Sequence, residues 1–110
     1  MTMRINIGEF EELVLLMVGI LSEDAYGVAI MEEIEQQMDR KVNISAVHSA
    51  LKRLESKGYL KSTMGGATKE RGGRRKRLFQ ITYGGKLALD QIKEMRTKLW
   101  NKMPDFAFDN

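Results

Sequence analysis

The densest chemistry in the chain lies at residues 69–77, KERGGRRKR. Lys69, Arg71, Arg74, Arg75, Lys76 and Arg77 crowd into this run, interrupted by one glutamate and a glycine pair. Cations this close repel one another, so the run is favourable only against a dense array of negative charge. A phosphate backbone is such an array, because each phosphate that is neutralised releases condensed counterions. A second set lies upstream: Ser45, His48, Ser49, Lys52, Arg53 and Ser56. At about 100° per residue, Ser45, Ser49, Lys52, Arg53 and Ser56 gather on one side of a helix, with His48 on its flank. Short hydroxyls and cations are groups that meet base edges, and long cations such as Arg53 suit flanking phosphates.

Other chemistries have little to stand on. The chain has no cysteine, so a disulfide framework and a thiolate metal site are both excluded. His48 is the only histidine, which leaves no cluster for a metal ion. No phosphate-loop signature is present, and Glu32, Glu33 and Glu35 read as a solvated helix face. The expectation is a protein without cofactor or metal, and not an enzyme. No apolar segment of the signal-peptide kind opens the chain, and the longest apolar run, at 13–21, is far short of the ~20 residues that cross a bilayer. A cytoplasmic protein without membrane contact is expected.

The charge is partitioned along the chain. Residues 1–51 carry three Lys/Arg against nine Asp/Glu, whereas residues 52–77 carry ten against two. A basic block behind an acidic front half implies a polyanionic partner on one face only.

These residues need elements to position them. Leu13, Val14, Met17, Ile20 and Leu21, with Phe10 before them, predict one apolar helix face, and Glu9, Glu11 and Glu12 suit its first turn. A second helix is expected from about Tyr26 to Met38, with Tyr26, Ile30, Ile34 and Met38 on one face. Asn43 is a fitting N-cap for a third helix, and Gly58 fits its left-handed end. The buried stripe of that helix is Val47, Ala50, Leu51 and Leu54. Residues 59–64 and 75–82 alternate in β fashion, with Phe79 and Ile81 on one side. They form a hairpin with a long basic tip. Thr82 can cap a fourth helix in which Ala88, Ile92, Met95, Leu99 and Met103 form a stripe ended by Pro104. The fold class is thus mainly α with a small β-hairpin (α+β): a winged helix-turn-helix in a single domain over 1–110. Its core spans 1–81, and a C-terminal dimerisation helix spans 82–104.

The segments EFEELVLLMVGILSEDAYGVAIMEEIE, SAVHSALKRLESKGYLKS and GGRRKRLFQITYGGKLAL together resemble the PadR family of bacterial transcriptional regulators. The resemblance runs over residues 8–89. Its marks are the Tyr26-Gly27 pair, the ALKRLESKGYL run at 50–60, and the basic run at 73–77 followed by Thr82 and Gly85. It implies a homodimeric repressor on a palindromic operator, paired largely through the C-terminal helix. Some members of the family release DNA when a phenolic or planar drug-like compound binds at an aromatic-containing dimer interface. Two positions depart from the family pattern. His48 stands where tyrosine is common, and Ser49 where proline often follows, so the operator preference of other members does not carry over.

The expected double-stranded DNA surface is therefore Ser45, His48, Ser49, Lys52 and Arg53 on the third helix and Lys69, Arg71, Arg74, Arg75 and Arg77 on the wing. Ile92, Met95, Leu99, Trp100 and Met103 are expected at the interface of a homodimer, with Trp100 beside a small aromatic or drug-like effector. A winged-helix module that docks on a protein, or that binds DNA without sequence preference, is the alternative reading.

Overall fold

The first helix, α1 (Glu9–Leu21), starts where a side chain replaces a missing helical partner. Gly8 is extended, and its N–H donates to the Glu11 carboxylate at 2.9 Å. A glutamate at the third helical position reaching back in this way satisfies one of the orphan donors of the first turn. The computed structural model describes residues 5–65 and 75–105. After α1 a 3-10 turn (Ser22–Asp24) leads to α2 (Gly27–Met38). That helix ends at Asp39, which takes the left-handed conformation (φ 49°, ψ 47°), one that aspartate tolerates. The third helix, α3 (Ile44–Ser56), begins as expected: Asn43 is its N-cap and accepts the Ser45 N–H at 2.7 Å. Gly58 follows it with φ +82°, the backbone for which a glycine was anticipated there.

Two antiparallel strands come next, β1 (Leu60–Met64) and β2 (Arg77–Ile81), each shorter than the alternating run that signals it. Leu60 pairs with Ile81, Ser62 with Phe79 and Met64 with Arg77. One further bond, from the Gly65 N–H to the Lys76 carbonyl at 2.6 Å, carries the ladder towards the tip. The expected basic tip, with Lys69, Arg71 and Arg74, lies outside the described residues. Inside the fold, Phe79 donates its N–H to the Ala25 carbonyl at 2.8 Å, which fastens β2 to the turn before α2.

The core is where these elements meet. Val14, Leu15 and Val18 of α1, Ile30 and Ile34 of α2, and Val47, Ala50, Leu51 and Leu54 of α3 are buried together, closed by Leu60 and Phe79 of the hairpin. The α3 stripe matches the expected set. On α1 the expected Leu13, Val14 and Met17 are buried and Leu15 and Val18 join them, whereas Ile20 is exposed. In a run that is apolar at nearly every position, periodicity does not single out one face.

Helix α4 (Tyr83–Lys102) leaves the hairpin at once. Thr82 accepts the Gly85 N–H at 3.0 Å and donates its own hydroxyl to the Gly58 carbonyl at 2.6 Å, joining the end of α3 to the start of α4. Gly85 lies so close to the Tyr59 carbonyl oxygen that a Cβ would fall on it. Ala88 and Ile92 are buried against the body, and beyond them α4 is exposed along its length. Among the described residues no single helix is long and apolar enough to cross a membrane.

Gly85→Ala is expected to destabilise the fold by about 2 kcal/mol, because the methyl group meets backbone that cannot yield as a side chain does. A fall in melting temperature of roughly 10 °C, followed by circular dichroism, is the corresponding outcome.

Candidate nucleic-acid interface

The side of α3 opposite its buried stripe is bare. Ser45, Ser49, Lys52 and Ser56 form one exposed row along the helix. His48 and Glu55 lie on one flank of that row, Arg53 and Lys57 on the other. Each flank is held by a different part of the molecule.

The Arg53–Lys57 flank is fixed by Glu11. This carboxylate, 5% exposed, is the buried charged group among the described residues. It accepts from Arg53 Nε at 2.8 Å, from Lys57 Nζ at 2.9 Å and from the Gly8 N–H. Burial alone pushes its pKa up, but the Gly8 N–H and the Lys57 and Arg53 bonds outweigh it and hold the carboxyl at about 2. The sequence marked Glu11 only as one of three acids in a first turn. Its ion pairs bridge more than forty positions of sequence, and no local pattern reveals such a reach.

The other flank is fixed by the hairpin and α2. Glu55 accepts from the Ser62 hydroxyl at 2.6 Å, and Ser62 in turn accepts from Arg77 at 3.0 Å. A wing cation is thereby tied through β1 to α3. The His48 ring lies against Gly27, where a Cβ would sit 2.6 Å from its Cε1, so any larger residue there would displace the ring. Lys76 stands over the Tyr26 ring with Nζ 4.1 Å from the centroid, a cation–π contact at the foot of the wing. Tyr26, Gly27, His48, Lys76 and Arg77 thus share one cleft.

Of the expected DNA-facing residues, the structure gathers Ser45, His48, Ser49, Lys52 and Arg53 on exposed α3 and sets Arg75 and Arg77, both exposed, at the base of the wing. Arg53 and Arg77 carry protein bonds in addition. Lys57, Lys76 and Tyr26 were not assigned to this surface from sequence.

The expected α4 seam divides. Ile92 is only 7% exposed, covered by the rest of its own chain. Leu99 is 58% and Trp100 64% exposed, and Met95 and Met103 are exposed too. Leu16 and Ile20 of α1 add to the exposed apolar surface. Arg96 of α4 reaches Glu12 of α1 at 3.0 Å, which holds these two helices side by side.

The pattern that defines the PadR-like family of transcriptional regulators matches residues 15–91. The chain belongs to that family, which is one of regulators and not of enzymes. In structure it is similar to a PadR family regulator from Eggerthella lenta, with a TM-score of 0.70 at 22% identity, over 93% of this chain and 88% of that one. It is also similar to a PadR family regulator from Clostridium difficile, with a TM-score of 0.61 at 27% identity, over 82% and 91%. Bacillus subtilis PadR in complex with operator DNA gives a TM-score of 0.59 at 21% identity, over 74% of this chain and 45% of that one. No protein of curated function matches the chain by sequence.

Glu11 generates a pH prediction. Its folded pKa lies below the ordinary glutamate value of 4.5, so its stabilising contribution is complete above that value. The contribution is lost as pH falls from there towards about 2. Glu11→Gln is expected to cost about 2–3 kcal/mol at neutral pH and to flatten the acid limb of stability. Urea midpoints measured across that range for both proteins test it.

Proposed function

We propose that the protein is a homodimeric, sequence-specific reader of double-stranded DNA that represses transcription from a palindromic operator in the bacterial cytoplasm. The observation that carries this reading is the bare row of α3, held on both flanks with cations beside it. In this reading the row enters the major groove, where hydroxyls and Lys52 meet base edges. The wing cations Lys69, Arg71, Arg74, Arg75 and Arg77 lie along flanking phosphates. Membership of a family of transcriptional regulators supports it, as does the fold shared with a PadR seen on operator DNA.

The dimer is supported by the stripe on α4. Ala88, Ile92, Met95, Leu99 and Met103 form one apolar line, yet the protomer buries only its beginning. A second copy offers the same line to cover the rest, and methionines adapt well to such a seam. To Trp100, one step off the line and exposed, we assign a small aromatic or drug-like effector whose binding releases the operator.

Selection of duplexes from a random pool at two salt concentrations tests the reading. The expected product is a palindrome with half-sites about one helical turn apart. Replacing Arg75 and Arg77 with Gln should weaken binding to every sequence and reduce the salt slope by roughly one to two. Replacing Ser49 or Lys52 should change which sequence is preferred. Salt-sensitive binding with no motif in the pool would instead favour a general DNA-binding or protein-docking module. An effector should alter Trp100 emission and operator affinity together. For the dimer, Leu99→Asp is expected to give a monomer in sedimentation experiments and to cost at least tenfold in operator affinity (about 1.4 kcal/mol). A dimer that persists would remove α4 from the interface.

A further inference from the structure

One depression on the surface is built from the second half of α3. It is lined by Ser49, Lys52, Arg53, Ser56 and Lys57: three cations and two hydroxyls, with no carboxylate among them. Behind it stands buried Glu11, which holds Arg53 by Nε and Lys57 by Nζ. With Nε engaged, the terminal nitrogens of Arg53 make no hydrogen bond among the described residues, and the side chain is 53% exposed. One carboxylate against two cations leaves a positive charge over, and Lys52 adds to it.

This arrangement selects among possible occupants. A base edge offers a planar pattern of donors and acceptors, and suits the row, whose Ser49, Lys52 and Ser56 form one wall of the depression. A phosphodiester offers acceptor oxygens only and a single negative charge. Hydroxyl, ammonium and guanidinium donors match it, and an arginine whose plane is already fixed can meet two of its oxygens at once. Its other wall, Arg53 and Lys57, lies on a flank of the helix, where a groove-bound helix passes the backbone.

We infer that this depression seats one backbone phosphate of double-stranded DNA, and that Glu11 is a positioning residue that aims Arg53 into it. The inference rests on the DNA-reading function proposed above, and it adds Lys57, whose Nζ also donates to the Asn6 carbonyl, to the contacting surface. A free arginine on an exposed helix samples many rotamers and loses that freedom on binding. Anchored at Nε, Arg53 has already lost most of it.

The test uses the full-length protein, its selected duplex and a scrambled duplex. Arg53→Ala is expected to weaken binding to both by about tenfold at moderate salt. It should lower the salt slope by about 0.9 and leave the preferred sequence unchanged. Glu11→Gln, checked as folded by circular dichroism at the temperature of measurement, should weaken binding in the same sense. In an Arg53→Ala background its effect should shrink to the part carried by Lys57. An unchanged slope in Arg53→Ala would overturn the phosphate seat; if Arg75 and Arg77 substitutions still flatten the slope, DNA reading survives that failure. Effects of Glu11→Gln and Arg53→Ala that simply add would overturn the positioning role. A wild-type protein that binds no duplex at any salt would overturn both the seat and the function it rests on.

Discussion

The setting of α3 depends on one buried carboxylate. Val47, Ala50, Leu51 and Leu54 hold the helix to the core by contacts that have no direction, and such contacts tolerate a small rotation about the helix axis. Glu11 does not. A charged carboxylate out of water is costly unless its partners reach it with good geometry, and rotation of α3 would draw Arg53 and Lys57 away. The same carboxylate also starts α1 by accepting the Gly8 N–H. One residue therefore ties the beginning of the first helix to one flank of the third.

The hairpin is fixed to the opposite side of α3 by smaller contacts that act together. Ser62 hands a hydrogen bond from Arg77 to Glu55, Thr82 binds the Gly58 carbonyl, and Phe79 takes the Ala25 carbonyl. Tyr26 receives Lys76 on its face, and Gly27 makes room for His48. Displacing the base of the wing from α3 would break several of these at once. In the described residues, the cations at the foot of the wing are thus carried in fixed relation to the bare row on α3.

The sequence makes α3 the most legible element. Its apolar stripe is clean, and a capping asparagine and a terminal glycine mark its ends, so its bare face follows from geometry alone. The hairpin was legible in place but not in length, because alternation continues past the last ladder bonds. Helix α1 was legible as a helix, and Leu13, Val14 and Met17 as part of its buried face, but the edges of that face were not, since its apolar run offers several faces of similar quality. Its correct face is chosen by α2 and α3 packed against it. Ile92 shows the same limit on α4: it belongs by spacing to one stripe with Leu99, and only the reach of the body decides which of the two is covered. Glu11 was visible by type and hidden in role, because Glu9 and Glu12 look the same until the chain brings Arg53 and Lys57 back.

The charge layout now has a physical reading beyond net sign. Of the cations at 52–77, Arg53 and Lys57 are ion-paired, Lys76 rests on an aromatic face, and Arg77 is bound to a hydroxyl. A cation held in this way gives up some of its attraction for a polyanion, since a carboxylate or a ring already satisfies part of its field. It gains in that less side-chain freedom remains to be lost when the polyanion arrives. Mobile cations favour binding to any phosphate array at long range, whereas held cations favour an array whose phosphates fall at fixed places. A helix that reads base edges needs the second kind, because a one-residue slip along the groove would present the wrong edges. The contacts that order Arg53, Lys57, Lys76 and Arg77 are therefore suited to setting register, and they do so from both sides of the row that would read sequence.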